Sequence, residues 1–210
     1  MTLDIRACTL DTVRDLCARF HGYGSAGGVA TYAYAVFEHA MPVAAFSWQP
    51  PPPGAAKSVC PEAPAGVLSL SRMVAVPRDT RELRHISKPL RLQMHQLIDR
   101  TRWPVLVTFS DEGQGHTGHS YKCSGWQPTT RTRVAVMTHA DGSRASRYAN
   151  GKTGGRALLR TGWTWVQRWE HWVCDRSDVV AWLPAHGWTR QPTGRIYRSG
   201  APGFTYVRQA

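Results

Sequence analysis

Val105-Leu106-Val107-Thr108-Phe109-Ser110-Asp111-Glu112-Gly113-Gln114-Gly115-His116-Thr117-Gly118-His119-Ser120-Tyr121 is the stretch from which the fold is read. Residues 105–109 are a short, continuous apolar run of the kind found in strands covered on both faces, and such strands belong to sheets with helices on either side. A Gly-rich turn follows, carrying a carboxylate, two imidazoles and a phenol within eleven residues. A short helix is then expected over residues 117–124, stopped by Gly125. The polar turn at the end of a buried strand is the usual address for ligands in α/β sheets. Asp111 and His116 are the natural proton-handling pair, Gly115 and its neighbours let the backbone approach a substrate, and Tyr121 suits protonation of a leaving thiolate.

Working outward, residues 3–8 alternate like a strand, and Thr9 caps a helix with Leu10, Val13, Leu16, Cys17 and Phe20 on one face. Residues 31–37 and 43–48 read as a hairpin turning at His39. The four-proline run at 50–53 opens a Pro, Ala and Gly stretch to Gly66, expected to be an exposed, mobile connection. Residues 67–76 form a long strand, 86–100 a helix with Ile86, Leu90, Met94, Leu97 and Ile98 on one face, and 126–136 another strand. The order strand, helix, three strands, helix, strand, helix, strand predicts a mixed α/β (α+β) sandwich. Residues 1–138 are expected to form the core and 139–210 an extension packed on it, with a loop at 141–155 and a strand pair around 195–207.

The formal charge of +12 is uneven: residues 131–210 hold 13 Arg or Lys against four acids, whereas residues 1–130 hold 13 against ten. The basic part also holds Trp163, Trp165, Trp169, Trp172, Trp182 and Trp188, six of the nine tryptophans. Cations beside aromatic rings suit a nucleic-acid surface. The spacing of Trp165, Trp169 and Trp172 equally predicts the buried stripe of a helix. With 42% apolar residues, wholesale disorder is excluded. No apolar run approaches membrane-spanning length, no secretory signal is visible, and the five scattered cysteines read as reduced thiols of a cytoplasmic protein.

Further constellations carry chemistry. Arg84, Ser87, Lys88 and Arg91 surround the start of the helix at 86–100, with Ser87 as its cap. Cations there oppose the helix dipole, and an anion such as a phosphate would reverse the sign. Solvated charges on an exposed turn are the other reading. Ser71 and Arg72 interrupt an apolar strand; the guanidinium must find a carboxylate, a phosphate or solvent, and pairing with Asp111 would be a purely structural role. His21-Gly22-Tyr23-Gly24 is either a metal or substrate contact or a helix terminator. Gly151-Lys152-Thr153 lacks the earlier glycine of a P-loop, and Gly22, Gly24 and Gly27 follow a helix, not a strand, so neither is a nucleotide fingerprint.

Asp4-Ile5-Arg6-Ala7 before a capped helix, and Tyr121-Lys122-Cys123-Ser124-Gly125-Trp126 after a strand, resemble the Gcn5-related N-acetyltransferase (GNAT) layout. Leu70-Ser71-Arg72-Met73-Val74, with Pro104 through Asp111 and Gly115 through Tyr121, more specifically resembles the Mom family of bacteriophage proteins, which modify adenine in DNA and shield it from restriction enzymes. The likeness runs over residues 19–133 and is strongest over 70–126. It implies a GNAT-like, mostly antiparallel sheet whose middle strands splay to admit a coenzyme A derivative such as acetyl-CoA. It also implies a carbamoylmethyl (acetamido) group placed on the exocyclic amine of adenine. Ser71 and Arg72 would face the cleft, Asp111 and His116 would handle protons or the substrate amine, and Tyr121 stands where acetyltransferases place their general acid. His21 and Tyr23 resemble a His-Tyr element that would bind metal, iron being the suited ion, or nucleobase; Tyr197, in Arg195-Ile196-Tyr197, is a substrate contact. The glycine-rich pyrophosphate loop of ordinary acetyltransferases is absent, and residues 81–88 stand in its place.

The adenine amine is a poor nucleophile and is paired inside a duplex, so the base must be flipped out, with stacking on rings such as Trp163 or Tyr197 offsetting part of the cost. A carbamoylmethyl group is joined through a saturated carbon, so plain acyl transfer does not produce it. Two other functions fit the sequence: an acetyltransferase acting on protein, RNA or small-molecule amines, and a DNA-binding protein without catalysis.

Overall fold

The computed structural model describes residues 4–22, 28–100, 102–139, 142, 159–196 and 202–208. Its centre is a seven-stranded sheet built from β1 (Asp4–Ala7), β2 (Tyr32–Glu38), β3 (Met41–Gln49), β4 (Val67–Ala75), β5 (Val105–Asp111), β6 (Gln127–Thr138) and β7 (Leu159–Trp172). The spatial order is β1-β2-β3-β4-β5-β7-β6. Every pairing is antiparallel except β4 with β5. Helices α1 (Leu10–Phe20), α2 (Pro53–Val59), α3 (Ser87–Arg100), α4 (His119–Cys123) and α5 (Val179–Ala185) accompany it. The last strands, β8 (Trp188–Ile196) and β9 (Pro202–Arg208), pair with each other as a separate ribbon, as expected.

The strand period of two sends successive side chains to opposite faces. On one face Phe46, Trp48, Leu68, Leu70 and Leu106 pack against Leu90, Met94 and Leu97 of α3 and against Trp126. On the other, Val13, Leu16 and Cys17 of α1 cover Ala35, Ala45 and Val74, and α2 covers Val67, Val105 and Val107. Thr9 caps α1, its hydroxyl accepting from the Thr12 amide at 3.4 Å. The turn at His39 and Ala40 is a two-residue one with both φ values positive (47° and 68°), the hand that suits a twisted hairpin.

Leu70 and Val74 have the same parity yet lie on opposite faces, because β4 carries a bulge: Ser47 pairs with Arg72 while Trp48 pairs with Leu70, leaving Ser71 extra. The bulge turns both Ser71 and Arg72 toward the α1 face. Just beside it the parallel pairing of β4 with β5 ends; it is confined to Val67↔Val105, Leu68↔Leu106 and Ser69↔Val107. Past that point the two strands part.

The structure corrects three expectations. The Pro-rich connection contains α2, whose Ala56 and Val59 are buried; proline at a helix start costs no hydrogen bond, so the run at 50–53 leads into a helix. Trp165, Trp169 and Trp172 lie on strand β7, not on a helical stripe; Trp169 is buried but Trp165 is 42% exposed. Ser87 is the first residue inside α3, not its cap, since the Ile86 carbonyl takes the first helical bond from Leu90. β7, from beyond the expected core boundary at 138, lies inside the sheet. Among the described residues no helix is long and apolar enough to cross a membrane. All five cysteines are free.

Candidate active site

Where β4 and β5 part, three segments converge: the bulge of β4, the turn leaving β5, and the C-terminal end of α1. The Thr108 hydroxyl donates to the Leu70 carbonyl at 3.2 Å, a side-chain link just past the last paired residues of the two strands. The Tyr121 phenol, projected by α4, hydrogen-bonds Thr108 at this point. Its ring packs between Trp126 and Trp169, each at a centroid distance of 5.9 Å. Burial pushes the phenol's pKa up, with the Thr108 contact working against it, so the group keeps its proton at physiological pH. Tyr121, Met73 and the turn from Gly115 through Ser120 line a cavity of about 210 Å³.

The turn is built by two left-handed glycines. Gly115 (φ 71°) ends a single 3₁₀ turn at Glu112–Gln114, and Gly118 (φ 73°) precedes α4. Asp111 is the pivot: it is 4% exposed, and its Oδ1 accepts from the Thr164 hydroxyl at 2.8 Å and from the Gly113 amide at 3.1 Å. Gly113 also donates to the Thr164 oxygen at 2.8 Å. The Asp111 carboxylate therefore fixes the turn to β7, and its carbonyl accepts the His116 amide at 3.3 Å. Glu112 receives two hydrogen bonds from Arg131, at 2.8 and 2.7 Å, tying the same turn to β6 and holding the Glu112 carboxyl below its usual pKa range.

His21 caps the end of α1, its amide donating to the Cys17 carbonyl, and its ring lies 6.3 Å from that of His116. Burial, then the Arg72 guanidinium, then His116 lower its pKa from 6.5 to about 4, so this imidazole is neutral at physiological pH. The unfolded chain takes up the proton first as pH falls, so the associated stability is present above about pH 6.5 and lost toward pH 4. Discounting for partial exposure, wild type should lose about 1–2 kcal/mol more than His21→Gln between pH 7 and 4.5 in urea unfolding.

Ser71 does not reach the cavity: its hydroxyl is bonded to the Ser47 hydroxyl at 2.9 Å and donates to the Ser47 carbonyl at 3.0 Å, which pins the bulge. Arg72 donates to the Ser71 carbonyl at 2.6 Å and bears electrostatically on His21 and Cys17. Arg84, Lys88 and Arg91 are exposed around the start of α3, and the Ser87 carbonyl accepts the Ser124 hydroxyl at 2.9 Å, joining α3 to α4. Tyr23 and Tyr197 lie outside the described residues. Among the described residues no three His, Cys, Asp or Glu side chains are grouped to hold a metal ion. Sequence reasoning counts Gly118 among the turn's glycines but assigns no role at this site to Met73, Thr108, Thr164 or Trp169. The signal for the last two was the period-two placement of Trp163, Trp165 and Trp169.

A family model described as the Mom protein family matches residues 2–169. No curated protein matches the chain in sequence. Solved structures match in fold. An alanine N-acetyltransferase acting on a ribosomal protein from Escherichia coli is 10% identical, covering 83% of this chain and 97% of that one, with a TM-score of 0.51. A ribosomal-protein-alanine N-acetyltransferase from Brucella melitensis is 13% identical, covering 81% and 100%, with a TM-score of 0.51. A Salmonella typhimurium protein solved with its cofactor acetyl-CoA is 11% identical, covering 83% and 96%, with a TM-score of 0.50. The expected fold, a GNAT-like sheet flanked by helices, is the one observed.

Proposed function

Because this chain belongs to the Mom protein family, we propose that it is a DNA-modifying transferase that places a carbamoylmethyl group on the exocyclic amine of adenine, so that phage DNA resists restriction. The observation that carries the reading is the gap opened between β4 and β5 past Ser69 and Val107, with the Tyr121 phenol at its apex and the cavity of about 210 Å³ beside it. A cavity of about 150 Å³ takes a benzene ring, so this one suits a single ring system or the reacting end of a donor.

A coenzyme A derivative would enter where the strands part, a donor suggested by the similar fold solved with its cofactor acetyl-CoA; Arg84, Lys88 and Arg91 around the start of α3 would balance its phosphates. When bound, it would supply an activated carbon and a thiol leaving group; a thioester carbon alone delivers an acyl group to an amine, so the saturated carbon of the carbamoylmethyl group requires a donor activated differently. The chain's own residues supply the rest. Tyr121, which keeps its proton, would donate it to a thiolate leaving group. The His116 imidazole, which lines the cavity, would take the proton lost by the adenine amine. Asp111 holds the turn that presents His116, and Ser71 holds the bulge that aims Arg72. His21, near His116, and Gly115, in the cavity wall, would touch the base. The proposed catalytic groups lie within residues 1–138, while residues beyond 138, besides completing the sheet through β7, would contact the DNA.

Mass spectrometry of nucleosides from cells expressing the protein should reveal a modified deoxyadenosine, strongly reduced in an Asp111→Asn variant. DNA that digests only to the four ordinary deoxynucleosides would falsify the reading. The observed fold favours one alternative, transfer to a protein or small-molecule amine, which predicts thiol release from acetyl-CoA with an amine and no DNA.

A further inference from the structure

We propose that the protruding end of the β6–β7 pair is a docking surface for single-stranded DNA, built from an Arg-Trp ladder. The proposal rests on the DNA-modifying reading above and names the surface that holds the strand beside the extruded base. β7 pairs with β5 only from Val166 to Trp172; residues 159–165 run on past Asp111 with β6 as their one paired strand among the described residues. On this extension Trp163 is 51% and Trp165 42% exposed. Two indoles left in water on one strand forfeit burial that a purely structural role would use.

Each ring carries a guanidinium. Arg131 lies 4.5 Å from the Trp165 ring centroid, Arg133 4.9 Å from that of Trp163, and Arg160 5.5 Å from the same ring. These cation-π contacts lie over the ring faces, where they stiffen the rings and keep phosphate-binding charge beside them. Rings two residues apart on a strand are separated by about 7 Å, so each can take its own base. Position completes the case. Trp163, Trp165 and Trp169 share one face of β7, and the Trp169 ring lies against Gly118, which lines the cavity. The row of rings thus leads outward from that cavity. Arg131 is held by Glu112, so it positions Trp165, while Arg133 and Arg160 are the cations presented to phosphate. The net charge of +12 matches a polyanion and opposes pairing with a second copy of the chain.

The test is fluorescence anisotropy of a labelled single-stranded oligodeoxynucleotide of mixed sequence, titrated with the full chain at several salt concentrations. W163A/W165A should lose affinity at least about tenfold per ring while keeping the wild-type salt slope, and W163F/W165F should keep most of the affinity. R133Q/R160Q should reduce the slope of log K against log salt by about 1.4. Wild-type affinity in a folded W163A/W165A protein overturns the proposal, as does an unchanged slope in R133Q/R160Q. A wild-type dimer that W163A/W165A splits, with oligonucleotide affinity unchanged, overturns it in favour of a self-interface. Binding is read without turnover, so wild-type protein that binds but yields no modified deoxyadenosine removes the transferase reading and leaves the ladder standing.

Discussion

A Tyr121→Phe protein should fold and melt close to wild type yet modify deoxyadenosine about a hundred to ten thousand times more slowly, the range for loss of a positioned proton donor. The substitution keeps the ring between Trp126 and Trp169 and removes only the hydroxyl bonded to Thr108. That bond is worth about 0.5–1.5 kcal/mol, too little to unfold the chain. Since burial raises the phenol's pKa, the group stays protonated through neutral pH, and the wild-type rate should show no alkaline decline from Tyr121 below about pH 10. Single-turnover measurement of modified deoxyadenosine, with a thermal melt on the same samples, checks both parts. A variant within threefold of the wild-type rate removes Tyr121 from the chemistry.

Gly118→Ala should be the most damaging single-methyl change near the site. A Cβ there would stand 2.1 Å from Cζ2 of Trp169, at a φ of 73° that alanine adopts only with strain. Trp169 cannot yield cheaply: it is 6% exposed and its Nε1 donates to the Ser110 hydroxyl at 2.9 Å. Overpacking and left-handed strain together should cost about 2–4 kcal/mol and lower Tm by about 5–15 °C. Gly115→Ala is the control, with a similar φ and nothing within 4 Å of its Cβ; it should cost about 1 kcal/mol. Equal losses in the two variants would mean that the close approach of Trp169 to Gly118 has no energetic weight.

Most of the sheet was legible because its strands announce themselves locally. The run at 105–109 has no polar face to mistake, and α1 and α3 bury the residues their periodicity selects, Val13, Leu16 and Cys17 in one and Leu90, Met94, Leu97 and Ile98 in the other. β7 was misread because three of its tryptophans also fit helical spacing, and aromatic residues in a half-buried strand satisfy both periods over so short a window. Within the site, Tyr121, His116 and Asp111 were visible as chemistry-bearing types beside glycines. Their division of labour was not. That Asp111 is committed to Thr164 depends on a strand fifty residues later pairing beside it, and the bulge that turns Ser71 toward Ser47 is a property of register, which no single segment encodes.

The placement of β7 between β5 and β6 also sets the order in which the molecule can be completed. On a ribosome, the chain through Thr138 emerges with β5 as a bare sheet edge and β6 without a paired strand, since the strand that joins them is made after both. Closure must wait for residues 159–172, a contact of high sequence separation and hence slow. Until then the nascent polypeptide presents the unpaired backbone edge of β5, which makes it a natural client for chaperones and makes premature termination before residue 159 a route to aggregation instead of a smaller working enzyme.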